Sequence, residues 1–188
     1  MSVGFSSTRI VNNTMVYLLG ISHRFQVRTF KSPLEGGSLT YDPSLADRFE
    51  KHLEFLIEAI SPLAICEEDS ETCILSVVEI DDRAYSVVSD VCARRMRHVF
   101  CEPELSEREK LYAAKGTTVS EDEKNGWAIR ENEWLRRISP MLPHGRLLFI
   151  CGANHIDTFK CKLENNGVIV EIICPDLEEE WNSATLKM

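Results

Sequence analysis

The sequence predicts an α/β fold: a mostly parallel central sheet with helices on both faces, in a single domain. Three observations carry this expectation. Strand-like and helix-like segments alternate along the 188 residues. The strand segments read as continuous apolar runs, the pattern of strands buried on both faces. The length suits one compact domain and leaves little room for two.

Taken in order, residues 1–13 are rich in Ser and Asn without periodicity and read as a flexible segment or an added edge strand, ahead of a domain spanning 14–188. Residues 14–21 (TMVYLLGI) form a short apolar run with a β-branched and aromatic share, a buried strand, followed by polar Ser22-His23-Arg24. A loop with Pro33 and Gly36-Gly37 leads to Asp42 as N-cap and Pro43 as first-turn proline of a helix. In that helix Leu45, Phe49, Leu53, Leu56 and Ile60 share one apolar stripe. Residues 63–66 read as a strand ending in Glu67-Glu68, and 70–90 as two helical pieces broken near Asp81-Asp82.

Residues 97–101 (RHVFC) are the next strand, ending in Glu102-Pro103, with a helix beginning near Glu104. Ser120 and Glu123 have capping-box spacing, and the helix they open carries Trp127, Trp134 and Ile138 on one stripe before Pro140 stops it. Residues 146–151 (RLLFIC) are a strand. Residues 154–165 are a helix with Ile156, Phe159 and Leu163 inward and Asn166-Gly167 as its stop, and 168–174 are the last strand.

Composition excludes several classes. Hydrophobic residues at 44% and charged residues at 27% are those of a globular chain, not a disordered one. Lys+Arg 21 against Asp+Glu 30 gives a net charge of -9, which disfavours nucleic acid and anionic membranes as partners. The longest apolar runs, such as 147–151, have strand length, far below the roughly 18–20 residues that cross a bilayer. Seven cysteines without a C-x-x-C pair, and no secretory pattern at the start, point to reduced thiols and a cytoplasmic setting.

In a parallel sheet the ligand crevice lies beyond the carboxyl ends of the strands. Those ends carry Gly20-Ile21-Ser22-His23, Cys66-Glu67-Glu68, Cys101-Glu102-Pro103, Cys151-Gly152-Ala153-Asn154-His155 and Cys174-Pro175-Asp176. Two histidines and several carboxylates thus converge on one rim. Gly20-x-x-His23 and Gly152-x-x-His155 are the two places where a glycine stands three residues before a histidine. Imidazole with carboxylate is a ligand set for zinc, manganese or iron-type ions, and such an ion activates water. Adjacent Glu67 and Glu68 point in different directions, so one faces the site and the other a supporting cation. Cys66, Cys101, Cys151 and Cys174 read as core fillers, since free cysteine behaves as a small hydrophobe.

Arg130 lies three residues from Trp127 and four from Trp134, on the inward stripe, where an unpaired guanidinium is costly; it requires a carboxylate partner or an anionic ligand. Arg108 is read in the same way. Glu133 and Arg137 have the spacing of a surface pair. His52 is a packing-edge residue, and His98 and His144 have no partner in sequence. Neither G-x-G-x-x-G nor the P-loop pattern occurs.

The paired Gly20-x-x-His23 and Gly152-x-x-His155, with Glu67-Glu68 between them, resemble the TraB/Tiki and EreA/ChaN-like group of α/β proteins over roughly residues 14–176. Residues 130–135 and 149–155 resemble segments of small bacterial members of that group. The resemblance implies one of three activities: a metal-dependent protease (Tiki-like), a hydrolase opening a macrolide ester (EreA-like) or a haem-binding protein (ChaN-like). It makes His23, Glu67 or Glu68, and His155 the metal or catalytic set.

The resulting expectation is a hydrolase of small-molecule or peptide substrates. In it, His23, His155 and Glu67 or Glu68 bind a divalent metal ion or activate water directly. The remaining glutamate or Glu102 is the general base, and Arg130 holds an anionic group or a carboxylate. The alternative is a module that binds or senses a small ligand, haem or metal in the same crevice without catalysis.

Overall fold

A computed structural model describes residues 14–22, 25–28, 43–71 and 85–185 of the chain. The strands are β1 (Met15–Ile21), β2 (Val27–Arg28), β3 (Ala64–Glu67), β4 (Tyr85–Ser86), β5 (Arg97–Phe100), β6 (Leu147–Gly152) and β7 (Ile169–Cys174). The helices are α1 (Pro43–Ile60), α2 (Val87–Arg95), α3 (Leu105–Lys115), α4 (Val119–Lys124), α5 (Ala128–Ile138), α6 (Ile156–Asn165) and α7 (Leu177–Thr185). Residues 1–13, His23 and the expected break near Asp81-Asp82 lie outside the described residues.

Five strands form one all-parallel sheet in the order β5-β3-β6-β1-β7, while β2 and β4 pair antiparallel in a separate ribbon. The α/β class read from the apolar runs is the class observed. Both faces are covered because each strand sends alternate side chains to opposite sides. One face carries Leu19, Ile21, Ile65, Leu148 and Ile150 under α1, α2 and α7. The other carries Val16, Leu18, Ala64, Cys66, Leu147, Phe149 and Cys151 under α5 and α6. Cys66, Cys101, Cys151 and Cys174 are buried within these cores.

Register brings the strand ends level. Ile21 pairs with Gly152, and Glu67 pairs with both Ile150 and Phe100. Backbone bonds then extend the ladder past the strands: Glu68 N–H to Ile150 O (2.8 Å), Cys101 N–H to Glu67 O (2.8 Å) and Glu102 N–H to Asp69 O (3.2 Å). Glu68 and Glu102 are therefore fixed by sheet-like backbone, although both stand in loops.

The structure differs from the sequence reading at several places. The capping box is formed by Thr118 and Glu121, not Ser120 and Glu123, and it opens only the short α4. The single helix expected through Trp127 is broken, because Gly126 (φ 73°) and Trp127 (φ 58°) both adopt left-handed backbone before α5 starts. A helix absent from the sequence reading, α7, closes the first face through Leu177 and Trp181. The Glu133–Arg137 pair is also no ordinary surface pair. Glu133 is buried between Arg136 and Arg137, and Arg137 extends to Phe100 O and Glu107.

A buried acid and base cluster as candidate active site

β3 ends in a residue doublet split by strand alternation. Glu68 turns to the face covered by α5 and α6. Its Oε2 accepts the Gly152 backbone N–H at 2.7 Å and its Oε1 accepts Arg130 Nη2 at 2.6 Å. Glu102, just past β5, receives the rest of the guanidinium: Arg130 Nε lies 3.1 Å from each of its oxygens and Nη2 lies 3.0 Å from Oε2. Trp134 Nε1 (2.9 Å) and Arg108 Nη1 (3.3 Å) also donate to Glu102. The carboxylate partners that the position of Arg130 demands are thus Glu68 and Glu102. Burial opposes the charge on Arg130, but the two carboxylates more than offset this and raise its pKa above the ordinary value.

His155 completes the cluster. It sits in the 3₁₀ turn Ala153–His155 leading into α6, is 2% exposed, and lies between the indoles of Trp134 (4.9 Å between ring centres) and Trp127 (5.5 Å). Its Nδ1 stands 3.2 Å from Glu131 Oε1 and its Nε2 3.4 Å from Glu68 Oε1. Glu131, 1% exposed, also accepts Thr158 Oγ1 and has Lys162 Nζ 3.7 Å from its other oxygen. Burial lowers the pKa of Lys162, and Glu131 opposes the shift.

The donor inventory of this line is informative. Both ring nitrogens face carboxylate oxygens, and in either neutral tautomer one lone pair points at a carboxylate unless a second proton or a cation stands between them. The 3.4 Å separation of His155 Nε2 from Glu68 Oε1 exceeds an ordinary hydrogen bond. It matches two ligands at about 2.1 Å from one tetrahedral ion, and a carboxylate behind the second nitrogen is the usual support for a metal-bound imidazole. Glu68 and His155 thus offer two donors, one short of the three protein ligands that a catalytic ion takes, and Glu68 Oε1 also accepts from Arg130. Among the described residues no group of three or more His, Cys, Asp and Glu side chains forms a metal-ligating cluster.

The glycines of the two G-x-x-H segments serve packing, since neither has positive φ. A Cβ on Gly152 would lie 2.8 Å from Asn154 Oδ1 and 3.4 Å from Glu68 Oε2. One on Gly20 would lie 1.9 Å from Pro175 O.

The structure thus brings Glu68, Glu102, Arg130 and His155 together. It places Glu67 on the opposite face, where Gln26 Nε2 (2.7 Å) and His98 Nε2 (2.9 Å) hold its two oxygens. His23 lies outside the described residues. Glu131 was not singled out from the sequence, although it lies four residues after Trp127 and three before Trp134, on the same inward stripe as Arg130. A cleft of about 540 Å³ between the α4–α5 junction and α6, lined by Asn125, Gly126, Thr158 and Lys162 among others, reaches the cluster at Glu131. No helix among the described residues is long and apolar enough to cross a membrane. No family model, no curated protein and no solved structure matches this chain.

Proposed function

We propose that the chain is a hydrolase of the TraB/Tiki/EreA-like type in which Glu68 and His155 activate water at the carboxyl ends of the strands. The observation that supports this reading is the buried line Glu131–His155–Glu68, with each ring nitrogen within 3.4 Å of a carboxylate. Glu131 orients the imidazole from behind. Glu68 takes the proton of the attacking water at Oε1, beside His155 Nε2, and the buried setting keeps bulk water from competing. Arg130 balances the charge on Glu68 and Glu102, and Glu102, which accepts from Arg130, Arg108 and Trp134, anchors the guanidinium beside Glu68. In the metal-assisted form of this reading, a divalent ion held by Glu68 and His155, with His23 as the further donor that the family resemblance suggests, would activate the water in place of proton transfer to Glu68 Oε1. The substrate class is a small molecule or peptide, and the reduced buried thiols suit a cytoplasmic setting.

The test is turnover on ester, amide and phosphoester panels, with and without added zinc or manganese. Glu68→Gln and His155→Gln should each lower kcat/KM by about 100-fold or more. Full turnover in both variants overturns the reading. A tightly held ion or haem with no turnover on any panel makes the crevice a binding module.

A further inference from the structure

We propose a second nucleophilic site on the opposite face of the sheet, in which Ser89, activated by His98 and positioned by Glu67, accepts the acyl group of a small carboxylic ester. Ser89 Oγ lies 3.3 Å from His98 Nδ1, and His98 Nε2 lies 2.9 Å from Glu67 Oε2. Gln26 Nε2 donates to the other oxygen of Glu67 at 2.7 Å, so that carboxylate, 0% exposed, is held from both sides. With Nε2–H donated to Glu67, the lone pair of Nδ1 faces the serine hydroxyl. This is the order of roles in a nucleophile, base and orienting acid, with the two ring nitrogens exchanged.

Each group is set by the fold. Glu67 ends β3, and His98 projects from the neighbouring β5 on the same face, its ring 4.2 Å from that of Phe100. Ser89 stands in the first turn of the nine-residue α2, whose N-cap Ser86 accepts the Ser89 N–H. The positive end of that helix favours the oxyanion that develops beside Ser89. Ser89 and His98 are partly exposed, while Glu67 is not. The nearby thiol does not compete: burial and the Glu67 charge push Cys92 up to about 12, so it stays protonated.

The chemistry balances without a further reagent. The Ser89 Oγ–H proton passes to His98 Nδ1 as Oγ bonds to the acyl carbon, and the carbonyl pair moves onto oxygen. Collapse expels the alcohol, which takes the proton from Nδ1. Water then repeats the sequence, releasing the carboxylic acid and restoring Ser89.

The probe is a fluorophosphonate, with the modified peptide identified by mass spectrometry, and the burst of p-nitrophenyl acetate as a second readout. The wild-type chain should be labelled on the Ser89 peptide, and Ser89→Ala should remove that label. His98→Gln should slow labelling by about 100-fold. Glu67→Gln should slow it and move its pH profile, with Glu67→Asp restoring part of the rate. An unlabelled wild-type chain, or label undiminished in Ser89→Ala, overturns the proposal. The labelled peptide is the deciding readout here, and ester turnover is assigned to the Glu68–His155 site only where it survives Ser89→Ala, so failure of one reading is distinguishable from failure of the other.

Discussion

Glu67 and Glu68 are adjacent at the end of β3 yet send their carboxylates to opposite faces of the sheet, Glu67 to Gln26 and His98, Glu68 to Gly152, Arg130 and His155. The cause is the period of two along extended backbone: Ala64 and Cys66 pack on the α5–α6 face and Ile65 on the α1–α2 face, so the next two residues must divide in the same way. One acidic doublet thereby serves two separate polar clusters. No divalent site containing both Glu67 and His155 fits this geometry, whereas Glu68 and His155 face each other at 3.4 Å.

Arg130 is the counter-charge of the first cluster, and its removal should be costly. Arg130→Met leaves Glu68 and Glu102 buried without their main cation, and breaking a buried pair typically costs about 3–5 kcal/mol. Arg108, 3.3 Å from Glu102 on its partly exposed stem, offsets a minor part of this. Arg130→Lys should recover less than half, because an ammonium cannot reproduce the fork that serves both carboxylates. Urea denaturation measures both, and a loss under about 1 kcal/mol for Arg130→Met would show that the cluster is not held by this residue.

The two glycines of the G-x-x-H segments should respond differently to alanine. On Gly20 the new methyl meets the carbonyl of Pro175 at 1.9 Å, a backbone atom that cannot step aside without moving the β7–α7 connection. Gly20→Ala should therefore cost about 2 kcal/mol or more. On Gly152 the nearest atom is the side-chain oxygen of exposed Asn154 at 2.8 Å, which can rotate away. Its cost is offset by about 0.4–1 kcal/mol from the stiffer unfolded chain, so Gly152→Ala should be nearly neutral in thermal midpoint. Equal effects at the two positions would remove the steric account.

Much of this arrangement is legible in the sequence because parallel strands align their carboxyl ends. Once residues 63–66, 97–101 and 146–151 read as strands, Glu68, Glu102 and His155 fall on one rim, and an arginine on an apolar helix stripe needs an acid there. Which glutamate of the doublet faces His155 depends on the residue at which β3 ends, and Ala64–Glu67 is shifted by one from the apolar run. Glu131 is hidden for a different reason. A glutamate beside Arg130 reads as a solvated helix acid until the packing of α5 on α6 brings Thr158, Lys162 and His155 around it. The left-handed pair Gly126–Trp127 is signalled by Asn125-Gly126, a turn dipeptide inside the stretch that otherwise reads as one helix. The Ser89–His98–Glu67 line joins three elements through pairings that no local spacing encodes.

Thiol reactivity should separate one cysteine from five among the described residues. Burial raises Cys101 and Cys151 well above the ordinary thiol range and lifts Cys92 and Cys174 to about 12, and Cys66 is fully buried. Cys161 on α6 is exposed. Iodoacetamide at pH 8 should carboxamidomethylate Cys161 in the folded chain while those five react only after urea is added. Peptide mass analysis reads this directly, and early modification of Cys151 would contradict the packing of β6.

The contact between α1 and α7 should weaken with acid, and His52 is the reason. Its ring meets Trp181 edge-on at 6.0 Å, the Arg48 guanidinium lies over the same indole at 4.3 Å, and His52 Nε2 is buried without a hydrogen-bond partner among the described residues. Burial lowers the pKa of His52 from its ordinary value near 6.5, and the Glu180 carboxylate opposes this without reversing it. A histidine whose folded pKa is depressed binds its proton more readily in the unfolded chain. Its contribution is therefore fully present above about pH 6.5 and is lost as pH falls below that value toward the folded pKa. His52→Gln removes the titrating group, so the stability of wild type relative to this variant should decline between pH 8 and pH 5. Urea unfolding followed by tryptophan fluorescence at several pH values measures the difference. A gap that stays constant, or one that widens in favour of wild type in acid, would show that His52 is charged without penalty at the α1–α7 contact.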